Sequence, residues 1–132
     1  MEPAASKQAS EFGVTSKQAL VAPTIFLTDI DSIGLADAQG LQFVTAFYWD
    51  RDEASRTWSK KYFARLGRMP TMTQAGMYSP VRHYLHAVQA AKTDDDLKVA
   101  DKMRELPVSD AFAPNGKVRA DGQFFTTCIS RG

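Results

Sequence analysis

No stretch of this 132-residue chain approaches the roughly 18 consecutive apolar residues that cross a bilayer, so no helical membrane span is expected. Its opening, MEPAASKQASEF, lacks the apolar core of a secretory signal, and the chain as it stands is not expected to be exported. A lone cysteine, Cys128, cannot form an intrachain disulfide and reads as a small buried or terminal thiol. Charge of one sign is missing too: 16 Lys and Arg against 15 Asp and Glu leave +1, so neither nucleic acid nor an anionic membrane surface is an expected partner. Only two histidines occur, His83 and His86, with no Cys, Asp or Glu at a zinc-like spacing, and they read as solvated or partly packed. Internal repeats and a G-x-S-x-G nucleophile motif are absent.

What is present suffices for one domain with a real core, since 44% of the residues are hydrophobic. The organising stretch runs from Leu20 to Trp49: the apolar run LVAPTIFLT, the acidic turn Asp29-Ile30-Asp31-Ser32, a short helical segment closing at Gly40, and a second apolar run, LQFVTAFYW. Two such runs joined by a helix form the smallest unit that builds a parallel sheet, and ligands in such sheets sit where strands end. Around this unit, Ala4 to Phe12 reads as a short surface helix. Asp50 and Glu53 have the spacing of a capping box ahead of a helix whose inner face is Ala54, Trp58, Tyr62 and Leu66, ending at Gly67. One kinked helix is expected through Pro80, with Ala75, Tyr78, Val81, Leu85 and Val88 inward. Thr93 caps a shorter helix with Val99, Met103 and Leu106 as its apolar face, ended by Pro107. Turn signals on either side of Lys117 to Ala120 predict a C-terminal β-hairpin, with Gln123 to Ile129 as a possible strand. The fold class is α/β with few parallel strands, flanking helices and that hairpin.

Two places offer chemistry. Asp29 and Asp31, placed at a strand end, have the spacing with which haloacid-dehalogenase-type phosphatases hold Mg²⁺ and attack phosphate, although Ser32 and Ile33 stand where that motif has Gly and Thr. The same two carboxylates read more simply as loop caps for the next helix. Phe47, Tyr48 and Trp49 end a strand, where aromatic rings stack on a ligand or fill the core and its rim.

The strand ending FYWD, the helix WSKKYF followed by GRMPT, the QAGMYS helix and the hairpin NGKVRADG together give the chain a resemblance to a known family. From about Ser6 to Gly122 it is similar to the C-terminal part of ABC-transporter substrate-binding proteins of the branched-chain amino acid (Leu/Ile/Val) type. The resemblance implies a two-lobed periplasmic receptor, a partial Rossmann-like sandwich in this chain, that closes on a small amino-acid-like or amide-like solute and presents it to the permease subunits of an ABC importer. It implies no enzymatic reaction and no cofactor. By analogy, 1–47 would be second-lobe strand and helix, 48–51 a hinge crossing, 52–112 first-lobe helices and 113–132 hairpin and tail of one incomplete domain. The family's acid for the ligand ammonium would be Asp29 or Asp31, which makes Asp29, Asp31, Ser32 and Tyr48 the candidate ligand contacts. Family members are considerably longer than this chain, the closing QFFTTCISRG departs from their pattern, and Pro80 stands where they favour a helix former. Apolar faces that the rest of such a protein would cover make self-association a further expectation.

Overall fold

Ala22, Ile25, Ile33 and Leu41 pack into one small cluster, and the elements that carry them form a β-α-β unit. In a computed structural model, strand β1 (Val21–Ala22) leads to helix α1 (Leu27–Ile33) and then to strand β2 (Gln42–Thr45). The two strands pair in parallel, with Val21 opposite Gln42 and Ala22 opposite Phe43. The structure describes all residues except 1–4, 6–7, 10, 15–17, 24, 35, 127–128 and 132, and describes only the backbone of 129–131. The readings of Cys128 and of parts of Ala4 to Phe12 therefore lie outside the described residues, although Ala5, Gln8, Ala9 and Glu11 have helical backbone.

The acidic segment differs from expectation. The first strand stops at Ala22 instead of running to Thr28, and Asp29, Ile30, Asp31 and Ser32 are helix rather than turn. Pro23 brings no amide hydrogen to a ladder. The Asp29 carboxylate accepts the Phe26 N–H at 3.1 Å, which satisfies a donor at the helix start and favours winding several residues early. The helix ends at Gly34, whose φ of 94° suits glycine, and the expected helix over 33–39 is replaced by turns up to Gly40.

β2 is the central strand of its sheet. Its other edge pairs antiparallel with β5 (Ile129–Arg131), Phe43 opposite Arg131 and Thr45 opposite Ile129. The expected hairpin forms between β3 (Lys117–Val118) and β4 (Phe124–Phe125), but the tail beyond it joins β2. The chain thus divides into two compact units, 1–46 with 128–132, and 47–127.

The second unit is mainly helical. Helix α2 (Glu53–Leu66) is capped by Asp52 rather than Asp50 and closes on left-handed Gly67. Helix α3 (Met72–Ala91) opens with a Thr71–Gln74 capping box and continues through Pro80 as one helix. Helix α4 (Asp96–Glu105) is capped by Asp95, with Thr93 accepting the Asp95 N–H at 3.2 Å.

The helical periods are as expected, but two inner faces are not. On α2 the fully buried residues are Ser55 and Ser59, while Ala54 and Leu66 are exposed and Trp58 and Tyr62 half-buried. On α3 the buried line is Ala75, Ser79, His83 and Ala87, and Tyr78, Val81 and Leu85 lie outside. The buried positions of both helices are thus mostly small residues, which permit close approach of neighbouring backbone. Phe47, Val99, Val108, Ala111, Phe112 and Ala113 complete the core of this unit.

Candidate functional site

Three of the four candidate contacts share α1. Asp29 is half-buried and engaged with Phe26, whereas Asp31 and Ser32 are exposed, and the Ser32 hydroxyl donates to the Asp29 carbonyl at 2.7 Å. Tyr48 belongs to the other unit, of which it is the second residue after Phe47. It is half-buried, its ring 5.8 Å from that of Trp49, and its carbonyl accepts the Arg51 N–H at 3.1 Å.

Helical backbone removes the phosphatase geometry. Residues two apart on a helix point away from one another, so Asp29 and Asp31 cannot grip one Mg²⁺ as they would from a strand end. Among the described residues, no three His, Cys, Asp or Glu side chains gather closely enough to hold a metal ion. His83 is buried rather than solvated: its Nε2 lies 2.8 Å from the Met103 carbonyl, so Nε2 carries the hydrogen and ties α3 to α4. His86 is exposed.

A polar bracket at the start of α2 went unrecognised from sequence. The Arg51 guanidinium donates to the Asp52 carboxylate at 2.7 Å, to the Ala111 carbonyl at 2.8 Å and to the Phe112 carbonyl at 3.1 Å. Ser55 adds a hydroxyl bond to Ala111 at 3.1 Å. Opposite it, Asp110 accepts the Phe112 and Ala113 amides, both at 2.9 Å, so the loop after Pro107 is held from two sides. The adjacent Arg51-Asp52 pair was visible in the sequence; its carbonyl partners some 60 positions on were not.

Asp52 titrates low. Burial pushes its carboxyl up, but the Ser55 amide and the Arg51 guanidinium outweigh this and hold it below the ordinary carboxylate value. A carboxyl lowered in the folded state stabilises above its unfolded pKa of about 3.9, and that contribution vanishes as pH falls through the lower folded value. Urea unfolding between pH 6 and 2 is therefore expected to show the parent losing stability relative to Asp52→Asn below about pH 4. Asparagine keeps the cap without the charge, and the difference is a few tenths of a kcal/mol because the side chain is partly solvated. Parallel curves would refute this role. Asp52→Ala, lacking both, is expected to cost about 1 kcal/mol throughout.

Beyond the bracket, aromatic rings continue outward from the core. Phe47 meets Trp58 edge to face at 5.5 Å, and Trp58 lies 5.7 Å from Tyr62 and 5.1 Å from Tyr78. The last three rings line an open groove of about 740 Å³ between α2 and α3.

A parallel β-α-β unit joined through β2 to the chain's last strand, with a helical unit inserted between, defines an α/β protein of the interrupted kind, in which one unit is built from two separate stretches of chain. The sequence profile of the periplasmic binding protein family matches residues 3–130, and the chain belongs to that family. Its fold is similar to that of a periplasmic binding protein of Burkholderia mallei, at 39% identity and a TM-score of 0.87. A branched-chain amino acid ABC transporter periplasmic ligand-binding protein of Burkholderia xenovorans matches at 37% identity and a TM-score of 0.88. Both alignments cover 97% of this chain and 34% of the other, so the chain spans about a third of the length of these structures. A leucine-binding protein, LivK, of Thermotoga maritima shares the fold at 20% identity and a TM-score of 0.74, over 97% of this chain and 37% of that one. No curated protein matches the sequence.

Proposed function

We propose that this chain is part of the solute-binding component of an ABC importer, working in the periplasm and taking up a small amino acid with an aliphatic side chain. The observation that carries this reading is the agreement of nearly the whole chain, in backbone and in 37% of its residues, with a structure described as a branched-chain amino acid ABC transporter periplasmic ligand-binding protein. Residues 1–46 with 128–132 would belong to one lobe and 47–127 to the other, the chain crossing twice. Capture and release need no bond chemistry; a ligand that touches both lobes only when they are closed shifts the population toward that state, which the permease subunits then read. Within this reading Asp29, Asp31, Ser32 and Tyr48 are the candidate ligand contacts, Asp29 also accepting the Phe26 N–H at the start of α1.

A chain that spans about a third of the length of these structures is expected to enclose little of any ligand. Calorimetry is expected to show the 132-residue chain binding L-leucine no more tightly than about 1 mM, equivalent to roughly −4 kcal/mol. Joined to the remaining two thirds of the Burkholderia xenovorans protein, it is expected to bind an aliphatic amino acid at micromolar concentration. Asp31→Asn is expected to weaken that binding by about tenfold or more, as loss of an ion pair to the ammonium demands. Micromolar binding by the chain alone, or no response of the joined protein to any aliphatic amino acid, would sink the reading.

A further inference from the structure

We infer that the cavity between α3 and the β3–β4 hairpin is a binding site for a small neutral phenol. The cavity lies wholly within the unit 47–127 and has a volume of about 140 Å³. Its chemistry comes from this chain's own side chains, so the inference does not depend on which solute an importer would carry.

Ser79 is the central residue. It stands on the inner line of α3 beside Pro80, is fully buried, and lines the cavity. A serine hydroxyl inside a helix ordinarily turns back to a carbonyl of the preceding turn. The Ser79 hydroxyl does not, and it has no hydrogen-bond partner. Burial without a partner disfavours the folded state, and an alanine would give the same close packing without that penalty. A bound guest that reaches the hydroxyl supplies the missing bond.

The rest of the wall selects the guest. Met103, Val108, Val118 and Phe124 supply apolar surface, and no Lys, Arg, Asp or Glu lines the cavity. A charged ligand would lose its water there without gaining a counter-charge, which excludes it. His83, the other polar side chain of the wall, is already engaged through Nε2 with the Met103 carbonyl at 2.8 Å, and both backbone groups of Val108 are paired with Gly116. Water alone is a poor occupant, since a buried water needs about two to four polar partners and the wall side chains offer one free hydroxyl. Size and shape then favour a ring. An apolar cavity of about 150 Å³ admits one benzene molecule, and a thioether and a phenyl group in the wall both pack well against an aromatic edge. The guest is therefore a single aromatic ring with one hydroxyl.

Phe124 forms the outer wall. A Cβ at Gly116 would stand 2.7 Å from its ring, so glycine there lets the ring lie close to the loop beside the cavity. The ring's residue is 39% exposed, which makes it the part of the wall free to swing aside and admit a guest.

Phenol itself is the probe. The isotope-labelled chain is titrated with phenol, and separately with benzene, at about pH 7, where a phenolic hydroxyl is neutral. Phenol is expected to bind with a Kd below about 1 mM and to move the backbone amide signals of Ser79, Val118 and Phe124. Benzene is expected to bind about tenfold more weakly, the worth of one hydrogen bond. Ser79→Ala should erase that preference, bringing phenol to the affinity of benzene. Val118→Met, at a half-buried position, fills the space and should weaken both by about tenfold or more. Far-UV circular dichroism checks that each variant keeps its helices. Four results would overturn the inference: no saturable binding by the folded chain, equal affinity for the two rings, a preference for phenol that survives Ser79→Ala, or shifts at Val81 and Leu85 with Val118 unmoved. The last would seat phenol in the open groove between α2 and α3 instead.

Discussion

Phe47→Ala is expected to destabilise the unit 47–127 by about 3–5 kcal/mol, a large share of the roughly 5–15 kcal/mol that holds an ordinary domain together. Phe47 is wholly buried, with 0% of its surface exposed, and its ring is the first link of the aromatic row, edge to face with Trp58. Removing it subtracts the transfer free energy of a benzyl group, leaves a cavity, and takes from Trp58 a contact of about 0.5–1.5 kcal/mol. Urea unfolding followed by circular dichroism at 222 nm measures the loss, and tryptophan fluorescence should move in parallel. A cost below about 1 kcal/mol would mean that the position collapses freely and that the packing described here is not decisive.

Arg51→Met is expected to cost about 2–3 kcal/mol while preserving most of the side-chain volume. The Arg51 side chain is only 17% exposed, and its guanidinium bridges three acceptors at once: a carboxylate beside it and two carbonyls of the distant loop. Methionine leaves the Phe112 carbonyl without that donor and Asp52 without its cation; Ala111 retains the Ser55 hydroxyl. Arg51→Lys should fall between the two, because an ammonium is a point donor and cannot span the geometry of the planar fork. Amide hydrogen exchange gives the specific signature: Phe112 and Ala113 should exchange faster in the Met variant, while Leu85 in the middle of α3 changes little. Equal acceleration everywhere would indicate general loosening, and unchanged protection at Phe112 would show that Asp110 alone holds the loop.

The two sides of α3 show where reading a sequence stops. Its passage through Pro80 and its period were legible, because local backbone preferences act within a few residues. The inward direction was not. Periodicity reports that a face is apolar, and when Ala75, Ser79 and Ala87 lie on one side and Met77, Val81 and Leu85 on the other, two faces qualify. Which of them meets the rest of the chain depends on α4 and on the loop that carries Phe112, both distant in sequence. Similarly, Asp29 and Asp31 were seen as a pair after an apolar run. Whether the backbone beneath them is strand end or helix, and therefore whether the carboxylates converge, was decided by one side-chain bond to Phe26 and by Pro23.

By itself the sequence determined the local parts of this protein: a parallel β-α-β beginning, three capped helices, a hairpin between Lys117 and Phe125, and words such as FYWD and NGKVRADG that mark its family. Each of these depends on interactions a few residues long or on a shared pattern of residues. Only the tertiary structure decided that the final strand returns to β2, that Arg51 reaches the Phe112 loop, and that the larger side of α3 faces outward. Those outcomes depend on which distant surfaces meet, and chain proximity carries no information about partners some 60 or more residues apart.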